Sequence, residues 1–60
     1  MKKYHIEALE DLEATHNTWD KGGIYEVTET DTKFQLTSNE AQVAYMIKLK
    51  EDIMKNFKIV

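Results

Sequence analysis

Glu40-Ala41-Gln42-Val43-Ala44-Tyr45-Met46-Ile47-Lys48-Leu49-Lys50-Glu51-Asp52-Ile53-Met54-Lys55 is the stretch on which the fold turns. Val43, Tyr45, Ile47 and Leu49 alternate with Ala44, Met46, Lys48 and Lys50, the period of a half-buried strand. The same residues are rich in Ala, Met, Leu, Glu and Lys, which favour helix. Val43, Ile47 and Met54, or Met46, Ile53 and Phe57, also fit a helical stripe. Counting does not separate the two templates. Only Glu51–Lys55 looks helical in its own right.

The flanks are clearer. Tyr4, Ile6 and Ala8 alternate with Lys3, His5 and Glu7 over 2–9, a strand with one apolar face. Ile24, Tyr25, Val27 and Thr28 within 23–29 are strong strand formers. Thr30-Asp31-Thr32 reads as a turn, and Phe34 and Leu36 alternate with Lys33, Gln35 and Thr37, which makes a β-hairpin with the preceding strand. Ser38-Asn39-Glu40 is the next turn. Phe57-Lys58-Ile59-Val60 suits a closing strand. Residues 10–21 are mostly polar and read as a long loop, ended by Gly22-Gly23, the only glycines in the chain.

With 40–55 read mainly as strand, five strands follow at 2–9, 23–29, 32–37, 42–49 and 57–60, with one helical turn before the last. That is the order of a mainly β, five-stranded antiparallel SH3-like barrel. Closing the sheet also protects strand edges that would otherwise invite aggregation. With 40–55 read as helix, the alternative is an α+β layer pair, a hairpin covered by a C-terminal helix. The barrel is the reading we take, as a single domain over residues 1–60.

Sixty residues without cysteine leave no disulfide staple, and a domain of this size buries only roughly 60% of the surface its unfolded chain exposes. A reactive cleft would take residues from a thin core, so the expectation is a non-enzyme with no catalytic residue and no cofactor. His5 and His16 lack the spacing of metal ligands, so no metal is expected either. Ser38, the only serine, sits in a turn and has no base beside it in sequence. Gly22-Gly23 lacks the spaced glycines of a phosphate loop. It is expected instead to permit a positive φ or a bulge at a barrel corner. Glu7, Glu10, Asp11 and Glu13 read as a solvated acidic edge.

Met1-Lys2-Lys3 is not followed by the apolar run of a signal peptide, and no stretch approaches a membrane span of about 20 apolar residues. A soluble, cytoplasmic protein with no membrane partner is expected. Net charge is −3. It is divided unevenly, about −5 over residues 1–31 and +2 over 32–60. Every cation is lysine. The lack of arginine, which reads phosphates and guanine edges through paired hydrogen bonds, weighs against sequence-specific DNA recognition.

The run Asn17-Thr18-Trp19-Asp20-Lys21-Gly22-Gly23-Ile24-Tyr25-Glu26-Val27 resembles a pattern in small proteins of bacteriophages and their bacterial hosts, where Lys-Gly-x-x-Tyr-x-Val opens a barrel strand. Ile53-Met54-Lys55-Asn56-Phe57-Lys58-Ile59-Val60 is similar to their common close. The resemblance covers about a third of the chain. It implies an SH3-like barrel and a phage or prophage origin, and it identifies no active site.

Trp19 carries the best functional hint. A tryptophan in a polar loop either folds back to cap a small core or anchors an interface. In the second case His16, Asn17, Trp19 and Tyr25 form a binding patch. The leading expectation is therefore a protein-interaction module, binding a host or phage protein through the 15–20 loop and a neighbouring sheet face. A nucleic-acid-binding barrel, with Lys48, Lys50, Lys55 and Lys58 along one side and Tyr45 stacking a base, is disfavoured by the charge. A structural homo-oligomer is the third reading, and Met46, if exposed, extends an apolar surface towards a second subunit.

Overall fold

The computed structural model describes residues 1–60. Seven strands form: β1 (Lys2–Ala8), β2 (Leu12–Ala14), β3 (Asn17–Trp19), β4 (Ile24–Glu29), β5 (Lys33–Thr37), β6 (Gln42–Met46) and β7 (Phe57–Ile59). A 3-10 turn, Ile47–Leu49, runs into one short helix, α1 (Lys50–Met54), before β7. Five strands make an antiparallel sheet in the order β6-β5-β4-β1-β7, while β2 and β3 pair only with each other. The fold is thus mainly β, with the expected strand order and the expected helical segment before the last strand.

Period-2 alternation sets which side chains go inside. Ile6 and Ala8 from β1, Tyr25 and Val27 from β4, Phe34 and Leu36 from β5 and Phe57 from β7 form the core, which Trp19 completes. Lys3, His5 and Glu7, or Lys33, Gln35 and Thr37, occupy the opposite parity and face outward. β6 and β7, at the two ends of the sheet, share no ladder. Tyr45, Ile47, Ile53 and Met54 are half-buried against the core.

Two expectations change. The strand expected over 42–49 ends at Met46. The Ile47 amide still donates to Thr32 at 3.0 Å, but Thr32 belongs to the β4–β5 turn, so the ladder has no further partner. Without cross-strand bonds, the local helix preference of Lys48–Met54 prevails. The loop expected over 10–21 contains the β2–β3 hairpin, in which Leu12 lies opposite Trp19 and Ala14 opposite Asn17. Its tip is Thr15-His16, and His16 takes φ 63°, a left-handed conformation that, glycine apart, asparagine, aspartate and histidine adopt more often than other residues.

Gly22-Gly23 does what the sequence suggests. The Gly23 amide donates to Asp20 at 2.9 Å and Gly22 has φ 82°, which makes Asp20–Gly23 a type II turn with glycine at its left-handed position. Gly23 is needed for closeness: a Cβ there would come within 2.8 Å of the Tyr25 hydroxyl. Bonds from Gly22 N to Ala8 O and from Ala8 N to Gly23 O, at 2.8 and 3.1 Å, then return the chain to β1.

The β4–β5 and β5–β6 turns share one device. Thr30 Oγ1 accepts the Lys33 amide and Ser38 Oγ accepts the Ala41 amide, both at 3.1 Å. Each hydroxyl imitates a main-chain turn acceptor, and in each case the first residue's amide donates back to the fourth residue's carbonyl.

Candidate functional site

The hairpin is held to the sheet by a polar latch at the β5–β6 turn. Thr18 donates to the Glu40 carboxylate twice, from its amide and from its hydroxyl, each at 2.7 Å. These bonds hold the Glu40 carboxyl below its ordinary range, the Thr18 hydroxyl contributing most. Asn39 returns its amide to the Thr18 carbonyl at 3.0 Å and its Nδ2 to the Thr18 hydroxyl at 3.1 Å. The Tyr25 hydroxyl accepts from the Asp20 amide at 2.7 Å and donates to Asn39 Oδ1 at 2.9 Å. Ser38 is buried, and its hydroxyl donates to Asn17 Oδ1 at 2.7 Å.

These contacts place the four residues singled out from the sequence. Trp19 is 5% exposed and Tyr25 7%. Trp19 follows the first of its two readings: the ring folds back, meets Phe57 edge-on at a centroid distance of 6.3 Å, and donates its indole N–H to Thr37 O at 2.9 Å. Asn17 is half-buried in the latch, and His16 alone is exposed, at the hairpin tip. The condition on which the four would form an exposed patch, an exposed Trp19, is not met: Asn17, Trp19 and Tyr25 hold the hairpin in place. Sequence reading missed Ser38, Asn39 and Glu40 as their partners. Their turn-forming character was legible, but the pairing across some twenty residues was not.

What the latch leaves open is a cleft. Under the hairpin lies a recess of about 160 Å³ lined by Leu12, Glu13, Trp19, Tyr45, Ile53 and Phe57 among others. Glu13 is its one charged residue. A separate recess of about 260 Å³ on the hairpin shares Leu12, Glu13 and Trp19 with it and is lined also by Asp11 and Asp20. The first offers apolar walls, and every charged residue lining either recess is acidic.

A larger recess of about 400 Å³ opens at the other end, between Met1, Lys2, Glu29, Asp31 and Ile47. Its charges are mixed, and its most buried acid is already satisfied: Lys50 Nζ donates to both Glu29 oxygens at 2.9 and 3.1 Å, and the Tyr4 hydroxyl donates at 3.1 Å. The Lys50 bond lowers the Glu29 pKa and raises that of Lys50 itself, while burial, before the Glu29 hydrogen bond, raises Tyr4. This is a structural ion pair, and it offers a ligand little.

The lysines considered for nucleic acid do not form a free stripe. Lys50 pairs with Glu29, Lys55 with Asp52 at 3.5 Å and Lys58 with Glu7 at 3.9 Å, while Lys48 has no acid within ion-pair reach. Tyr45 turns inward, half-buried. His5 lies on β1 beside Glu26, 3.9 Å away, on a different element from His16. No helix is long and apolar enough to cross a membrane. Compared with protein-family models, curated proteins and solved structures, the chain matches none.

Proposed function

We propose that this chain is a non-enzymatic protein-interaction module, and that its ligand is a peptide segment presenting one large apolar side chain next to lysine or arginine. The observation that carries this reading is the cleft under the hairpin, where Leu12, Trp19, Tyr45 and Phe57 supply apolar wall and every charged rim residue is acidic. An apolar anchor in a small pocket supplies affinity, and a rim of one charge sign selects the flanking residues. The latch holds the wall in place before binding, which reduces the ordering cost of association. Trp19 belongs to that wall through its remaining edge.

Selection of binders from a random-peptide display library tests the reading. Enriched sequences should combine an aromatic or aliphatic residue with basic neighbours. Glu13→Lys should weaken the best of them about tenfold, close to 1.4 kcal/mol, with the fold intact. Enrichment of acidic peptides, or no enrichment at all, would reject the cleft as a peptide site.

A further inference from the structure

We propose that the free edge of β6 pairs with the β6 edge of a second copy of this chain, antiparallel about a two-fold axis at Ala44. The inference is independent of the peptide cleft, which uses the inward Tyr45 ring and not the strand's backbone.

The backbone parity is the first support. The Ser38 amide donates to Ala41 O and the Ile47 amide to Thr32 O, which fixes Ala41, Val43, Tyr45 and Ile47 as the positions bonded to β5. Gln42, Ala44 and Met46 therefore point their amides and carbonyls at the open side. This is a symmetric set of three centred on Ala44. A two-fold axis there brings Ala44 to its own copy and Gln42 to Met46, and every one of these groups gains a partner.

The side chains agree. Edge strands are ordinarily protected by charge, proline, bulges or shortness. β7 has three residues, one of them Lys58. β6 has five residues with no charge and no proline, and its register with β5 is unbroken. Met46 is 58% exposed, and the same axis lays it beside Gln42 of the second copy. No like charges meet along the strand. Beyond it, Glu40 and Lys48 are equally far from Ala44 in sequence, so the axis carries each acidic end towards a basic one. Lys48 is also the lysine at this end of the chain that has no intramolecular acid.

Sedimentation of the intact chain, from about 10 μM to about 1 mM to reach the weak end of the affinity scale, should show a concentration-dependent dimer. Ala44 is exposed, so Ala44→Lys and Ala44→Glu should both keep the wild-type circular dichroism. Each alone should sediment as a monomer, because the axis sets identical charges against each other. Mixing the two should restore the dimer. In the wild type, hydrogen exchange at Gln42, Ala44 and Met46 should slow as concentration rises, with Val43 and Tyr45 unchanged. A wild-type chain that stays monomeric throughout, including one that takes a foreign strand at this edge instead, overturns the proposal. So does self-association of the Lys and Glu variants equal to that of the wild type.

Discussion

The indole N–H of Trp19 donates to the main-chain carbonyl of Thr37 across the gap between the hairpin and the sheet, at 2.9 Å. Thr37 is the last residue of β5, immediately before the latch turn. One side chain thus fills the core, ties the hairpin down and keeps an edge on the cleft. Binding experiments that remove Trp19 would unfold the wall along with the contact, which is why Glu13 is the better probe.

Trp19→Phe should destabilise the protein by about 1–3 kcal/mol, since Thr37 O loses its partner in a partly buried setting. Trp19→Ala should cost about 3–5 kcal/mol, the range for deleting a buried aromatic ring. Urea unfolding reads both. In the native wild type the tryptophan emission should be blue-shifted and resist iodide, and it should move to the red on unfolding. A native spectrum typical of water-exposed indole would contradict the burial.

The two hydroxyl-built turns should respond differently to the same deletion. Ser38→Ala removes a buried hydroxyl that serves Asn17, Glu40 and Ala41, so a loss of about 1–3 kcal/mol is expected from donors and acceptors left unpaired. Thr30→Ala acts in exposed surroundings, where water replaces the bond, and should cost under about 1 kcal/mol. Equal losses would mean the latch adds nothing to the Ser38 turn.

Gly22→Ala and Gly23→Ala separate strain from crowding. At Gly22 the added Cβ meets nothing within 4 Å but φ stays at 82°, for a cost of roughly 1–2 kcal/mol. At Gly23 the Cβ meets the Tyr25 hydroxyl at 2.8 Å and the Asp20 carbonyl at 3.0 Å. Overpacking of that kind costs about 1–3 kcal/mol and should also weaken the Tyr25–Asn39 bond. The Gly23 variant should therefore show the faster amide exchange at Asp20, whose amide Tyr25 accepts.

Acid should loosen the latch. The folded-state pKa of Glu40 lies below the ordinary 4.5, so its contribution is complete above that value and lost as pH falls through the folded one. Glu29 behaves in the same sense through Lys50. The urea midpoint should drop as pH falls below 4.5, and Glu40→Gln should flatten that fall. The same slope in both proteins would remove Glu40 as a source of the effect.

The sheet was legible in the sequence because β1 and β5 alternate on one buried face, as at Tyr4, Ile6 and Ala8, and β4 is built from the strand formers Ile24, Tyr25, Val27 and Thr28. β6 was legible to Met46. After that the apolar alternation persists through Ile47 and Leu49 while the hydrogen-bond partners run out, and pattern alone does not reveal where a neighbouring strand stops. The β2–β3 hairpin was hidden because Leu12 and Trp19 are the main apolar pair across it and Thr15-His16 lacks the glycine or asparagine that usually marks a tight hairpin. Trp19 had two open readings because burial of a loop residue depends on distant partners, here Thr37 and Phe57. The cleft has no sequence signature of its own: Leu12, Tyr45 and Phe57 meet only when the hairpin folds down.

The two bonds joining Ala8 to Gly22 and Gly23 make the hairpin an excursion that leaves and rejoins the sheet at one point. Its length and rim are therefore free to diverge while the strand register beneath stays fixed. A donor segment that keeps Asn17, Thr18 and an indole where Trp19 stands retains every tie to the sheet, which makes this framework a host for exchangeable hairpin tips.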